Sequence, residues 1–146
     1  MLIQIPYTGI DGDTVVINLD PEQIMCAELL VSNGKPSLDL HIWMVGASQP
    51  MLLVGAGLPA VAGTIDAYYR SINKYCPFMY ITNNVFMNVN YVQFVDCAII
   101  EGKYDYKTTS VFMTGFNMRI QVSGKTVDEV VNDINTVMKH VKEDAT

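Results

Sequence analysis

The feature that most constrains this chain is that much of it is written twice. Ile17-Asn18-Leu19-Asp20-Pro21-Glu22-Gln23-Ile24 returns as Met87-Asn88-Val89-Asn90-Tyr91-Val92-Gln93-Phe94, with asparagine and glutamine in place. Ile42-Trp43-Met44-Val45-Gly46 is echoed by Val111-Phe112-Met113-Thr114-Gly115. The helical stripe Val61, Ile65, Tyr68, Ile72 returns as Val127, Val131, Ile134, Met138. The offset drifts from about 70 to about 66 residues, as loop deletions would cause. Neither copy is large enough to bury a core alone, so the expected product is one domain, residues 1–146, of two repeats at about 14–75 and 78–142. Its fold class is then α+β: two units of about four strands and one helix, with antiparallel sheets and pseudo-twofold symmetry.

Local signals place the elements. In the first copy Val15–Leu19 and Ile24–Ser32 read as strands, and Asn33-Gly34 is a hairpin turn whose residues tolerate positive φ. Leu38–Val45 pairs back, with Leu38, Leu40, Ile42 and Met44 expected on one face. Met51–Val54 follows, and then a helix at about 60–74. The second copy gives strands at Phe78–Ile81, Val85–Val89, Val92–Ile100, Tyr104–Thr114 and Met118–Val122, with a turn at Gly115. Its helix, at about 126–141, opens on Thr126-Val127-Asp128-Glu129, the pattern of a capping box. Both helices are expected to lay an apolar stripe on a sheet face.

Half of the residues (50%) are hydrophobic and 16% are charged. That is a large apolar complement for one small domain, and it points to self-association. The net charge of −6, with nine scattered basic residues, disfavours duplex DNA, which calls for a cationic patch. Cys26, Cys76 and Cys97 include no CxxC pair, as expected of reduced thiols in a cytoplasmic setting. Met1 to Pro6 lacks the basic and apolar stretches of a signal peptide. No apolar run is long enough to span a bilayer as a helix.

The stretch Asn88 to Asn135 resembles the small FlbD-like proteins of flagellar loci and phages. Their pattern is an asparagine-bearing strand, an apolar strand ending in glycine, and an acidic helix start. It is met here by Asn88-Val89-Asn90, by Val111 to Gly115 and by Val122 to Ile134. That family brings no established chemistry. At the level of fold, tandem units of four strands and a helix are similar to Whirly and Pur-type single-stranded nucleic-acid-binding proteins, a likeness that carries no function by itself.

Catalytic residues are not expected. His41 and His140 have no Cys, Asp or Glu at metal-ligand spacing, and nucleophile and phosphate-loop motifs are missing. Asp11, Asp13 and Asp20 lack the remaining ligands of a calcium loop. No metal or cofactor is therefore expected. Two groups of residues are candidates for ligand binding. Gly55 and Gly57 form a glycine-rich strand-to-helix turn whose amides could hold an anion. Tyr104, Tyr106 and Lys107 in a hairpin, with Arg119, could stack bases. Three non-enzymatic classes stay open: a homo-oligomeric interaction protein of phage type, a single-stranded nucleic-acid binder of Whirly-like type, and a protein sequestering a signalling nucleotide.

Overall fold

In a computed structural model the chain is described over residues 1–114 and 119–144. It is an α+β fold of mostly antiparallel strands. The elements are β1 (Ile3–Thr8), β2 (Thr14–Leu19), β3 (Ile24–Ser32), β4 (Lys35–Met44), β5 (Met51–Leu53), α1 (Leu58–Ser71), β6 (Phe78–Thr82), β7 (Val85–Asn88), β8 (Val92–Ile100), β9 (Lys103–Met113), β10 (Arg119–Ser123) and α2 (Val127–Asp144). Single 3-10 turns, Pro21–Gln23 and Val89–Tyr91, link β2 to β3 and β7 to β8. The expected turn at Gly115 and the strand start at Met118 lie outside the described residues.

The same succession of elements, from β1 to α1 and from β6 to α2, runs through both halves. Local chemistry recurs with it. Asp20 and Asn88 each precede a 3-10 turn and accept the amide two residues on, from Glu22 and from Asn90. Asn33-Gly34 and Glu101-Gly102 both turn their hairpins with positive φ. Asp20 thus corresponds to Asn88, two positions away from the match of Asn18 with Asn88 suggested by the sequence. What the two turns share is a short side-chain acceptor at their start, aspartate in one and asparagine in the other.

Strands pair as β5-β4-β3-β7-β6, as β10-β9-β8, and as β1-β2. The halves therefore join where β7 lies antiparallel on β3, with Cys26 opposite Met87, Ala27 opposite Phe86 and Glu28 opposite Val85. A twofold axis would carry that pairing over to β8 and β2. Yet among the described residues β8 pairs only with β9, and β2 only with β1, so this junction is not twofold.

The five-stranded sheet is buried on both faces. On one side α1 sets Val61, Ile65 and Tyr69 against Ile24, Ala27, Leu40, Ile42 and Phe86. On the other side Val130 and Ile134 of α2 join Met25, Cys26, Met87, Val111 and Ile120. β3 thus feeds both cores, and Met25 and Cys26 fall on the same side because a register shift interrupts the β3–β4 ladder between Ile24 and Cys26. Burying one such aliphatic side chain is worth about 1.5–3 kcal/mol. Strand β1 carries Ile3 and Ile5 into the first core, a strand that the sequence signals did not mark. Leu38 departs from its expected face: it is 66% exposed because Ser37, Leu38 and Asp39 form an irregularity in the β3–β4 ladder.

Candidate binding surface

The Gly55–Gly57 turn is held by the protein itself. Gly55 donates its amide to Asp39 Oδ1 at 2.9 Å, and Gly57 donates to the Leu38 carbonyl at 2.9 Å. Both glycines adopt positive φ, and a Cβ on Gly55 would stand 2.6 Å from Thr8 Oγ1. The amides that an external anion would need are already engaged, so the turn acts as a clasp between β4 and the start of α1.

The β8–β9 hairpin presents a different surface. Its ladder breaks between Cys97/Thr109 and Ala98/Asp105, leaving Tyr106, Lys107 and Thr108 without partners on β8, although Thr108 still stands opposite Ser123 of β10. The Asp105 carboxylate holds this bulge by accepting the Lys107 amide at 3.0 Å and the Thr108 hydroxyl at 2.8 Å. These bonds, the Lys107 amide first, hold the Asp105 carboxyl below its ordinary range. Beyond the bulge the arm exposes Ile99, Ile100, Tyr104 (63%) and Tyr106 (78%). The two tyrosine rings are stacked, with centroids 6.2 Å apart.

Arg119 does not join them. It stands opposite Phe112, eight residues along β9 from Tyr104, roughly 26 Å at strand spacing. There it borders a second aromatic pair that the sequence did not single out. Phe94 and Phe112 face each other across β8 and β9 and stack at 4.2 Å. Beside them the Ser110 hydroxyl is buried without a hydrogen-bond partner among the described residues.

Groups capable of chemistry are scattered. His41 lies 3.8 Å from Glu28, and His140 stacks on Tyr75 and lies 3.7 Å from Glu143. Burial pushes the Cys26 thiol well up and is the main cause that lifts Cys76 to about 12. The Cys97 thiol is also raised, by desolvation and then by the adjacent Asp96 carboxylate. All three stay protonated at neutral pH, so none supplies the thiolate that nucleophilic chemistry uses. Among the described residues no cluster of His, Cys, Asp or Glu could hold a metal ion. A cleft of about 280 Å³ also opens between the halves, lined by Tyr69, Lys74, Asn88, Asn90 and Tyr91. The Tyr91 hydroxyl, pointing across it, donates to the Glu22 carbonyl. Among the described residues no helix is long and apolar enough to cross a membrane.

No family model matches the chain, and no curated protein matches it. A solved structure described as the LytTr DNA-binding domain of a methyl-accepting/DNA response regulator from Bacillus cereus is similar over 93% of this chain and 96% of that chain. The identity is 11% and the TM-score 0.49. This comparison corrects three expectations. The resemblances to FlbD-like proteins and to Whirly or Pur-type proteins find no counterpart in it. With them fall the homo-oligomeric phage protein, the single-strand binder and the nucleotide-sequestering protein, since the similar domain is named for none of these. The exclusion of duplex DNA, which rested on net charge and on the scatter of the basic residues, is withdrawn together with the expected self-association. A likeness of this degree hands no function to the chain.

Proposed function

We propose that this chain is a non-catalytic binding domain that meets its partner through the arm of the β8–β9 hairpin. The observation that carries this is the stacked pair Tyr104 and Tyr106, held in solvent beyond an irregularity that Asp105 fixes in shape. Tyrosine offers a wide, rigid contact area at low entropic cost, and aromatic side chains are the typical anchors of interfaces. Lys107 sits beside the pair and adds a cation. Protonated cysteines and dispersed histidines support the non-catalytic part of the proposal.

The proposal includes a single domain made of two related units. Its support is the matching order of elements, the matching 3-10 turns and the matching positive-φ hairpin turns.

Differential capture tests the proposal. Wild-type protein and the double variant Tyr104→Ser/Tyr106→Ser are immobilised and exposed to the same cell extract, with and without nuclease treatment. The expected outcome is a partner retained by wild type and lost by the variant, and returned chemically unchanged. Nuclease sensitivity then tells nucleic acid from protein. Equal capture by both proteins would remove the arm from the contact, and conversion of the captured molecule would refute the absence of catalysis.

A further inference from the structure

The outer edge of β3 is filled by β7, whereas among the described residues no strand pairs with the corresponding edge of β8. Correspondence is set by the ladders: Leu29 opposite Leu40 is the last regular pair before the bulge in one hairpin, and Cys97 opposite Thr109 is the last in the other. Leu29 donates its amide to the Asn84 carbonyl at the head of β7, at 2.7 Å. Among the described residues Cys97 has no such strand beside it, and its amide turns to the neighbouring Asp96 carboxylate at 2.7 Å. Phe94 (49% exposed) and Asp96 flank this edge in the open. An edge strand with unpaired backbone groups is a template for strand addition, and natural proteins usually blunt it. Here the Asp96 carboxylate occupies one amide.

We propose that β8 receives an extended segment of a partner protein, laid antiparallel on its edge as β7 lies on β3. The β3–β7 junction supplies the chemistry of that segment. Where Phe86 stands opposite Ala27, the incoming strand places an apolar residue opposite Val95. Where Val85 stands opposite Glu28, it places a Lys or Arg opposite Asp96, because Glu28 has His41 at 3.8 Å and Asp96 has Ser110 across the ladder instead. Strand addition of this kind draws affinity from main-chain hydrogen bonds and specificity from alternate side chains. A second copy fits less well. The strand corresponding to β7 is β2, whose Asn18 would take the position of Phe86, and each copy carries a net charge of −6. The proposal uses the backbone edge and Val95, not the tyrosine arm, so the two surfaces can be separated by experiment.

The probe is a synthetic peptide of residues 83–90 carrying V85K, added to the full chain and followed by amide hydrogen exchange. The expected result is that exchange at the Val95 and Cys97 amides slows by about tenfold or more at saturating peptide. The same peptide N-methylated at Phe86, which lacks the amide that faces the edge, is expected to have no effect. Y104S/Y106S is expected to bind the peptide as wild type does. The proposal is overturned if the peptide leaves Val95 and Cys97 unprotected, if the N-methylated peptide protects them equally, or if Y104S/Y106S loses the effect. Protection that grows with protein concentration alone identifies a second copy as the occupant, and overturns it too.

Discussion

The two hairpins share a backbone plan and use it for opposite ends. Each shifts register once near the start of its first strand, breaks again toward its tip, and closes on a positive-φ turn. At the second break of each a side chain accepts the amide two residues on: Ser37 from Asp39, and Asp105 from Lys107. In the β3–β4 hairpin the residues that follow turn toward the body, where Leu38 and Asp39 hold the amides of Gly57 and Gly55. In the β8–β9 hairpin the same stretch carries Tyr106 and Lys107 outward. The helix starts differ to match. Gly57 precedes α1 without a side-chain cap, while Thr126 and Glu129 cap α2 reciprocally at 3.2 and 3.3 Å. Similar hairpins can therefore brace a helix or hold tyrosines in solvent, and a few side chains decide which.

The largest expected effect comes from Gly55→Ala beside Gly124→Ala. Both glycines have positive φ ahead of a helix, at 70° and 78°. Only Gly55 has an atom in the way, Thr8 Oγ1 at 2.6 Å, whereas Gly124 faces open space. Backbone strain alone costs about 1 kcal/mol at either position, and the clash raises the Gly55 variant to about 2–4 kcal/mol in urea unfolding. Equal losses would show that Thr8 gives way freely.

Next in size, Asp39→Ala is expected to cost about 1–2 kcal/mol by stripping the Gly55 amide of its charged acceptor. Lys107→Ala, at the matching place in the other hairpin, is expected to change stability by less than about 0.5 kcal/mol. Thr126→Ala removes the capping box, with a loss of about 1 kcal/mol. That loss has no counterpart in α1, whose start rests on contacts from β4.

The smallest effect is a pH dependence confined to one arm. Bonds from the Lys107 amide and then the Thr108 hydroxyl lower the Asp105 carboxyl, so their support is complete above the ordinary aspartate range. It is lost as pH falls through the lowered value. The Ser37 hydroxyl does the same work without titrating. In acid the Lys107 amide is therefore expected to lose the low temperature coefficient of a bonded amide, while the Asp39 amide keeps its own. Parallel behaviour of the two amides would break the comparison.

Much of the fold was legible because local chemistry specified it. Strands Ile24–Ser32 and Val92–Ile100 follow from their apolar runs, and the Thr126–Glu129 box marks the start of α2. Helix α1 begins earlier than expected, at Leu58, because Pro59 suits the first turn and Gly57 frees the chain before it. Leu38 went astray because alternation counts residues evenly, and a bulge does not. β1 escaped notice because Pro6 interrupts an otherwise short strand signal; at a two-stranded edge the missing amide is tolerated. In the candidate site the tyrosines were visible as residue types. The distance of Arg119 and the open edge of β8 were not, since both depend on which strand lies beside which. Pairing across the halves joins residues about 60 positions apart, beyond the reach of any window of local propensity.

Filling β3 with β7 also sets a timetable for synthesis. The first half leaves the ribosome complete through α1, yet the edge of β3 away from β4 has no neighbour until Asn84 to Met87 emerge, and its core still awaits Phe78 and Phe86. At about 5–20 residues per second that interval lasts on the order of a second. During it the nascent chain offers a bare strand of Ile24, Cys26 and Ala27 to whatever is near, including other nascent copies on the same message. The order of translation thus makes the earlier half dependent on the later one, and the junction that completes the fold is also its most exposed moment.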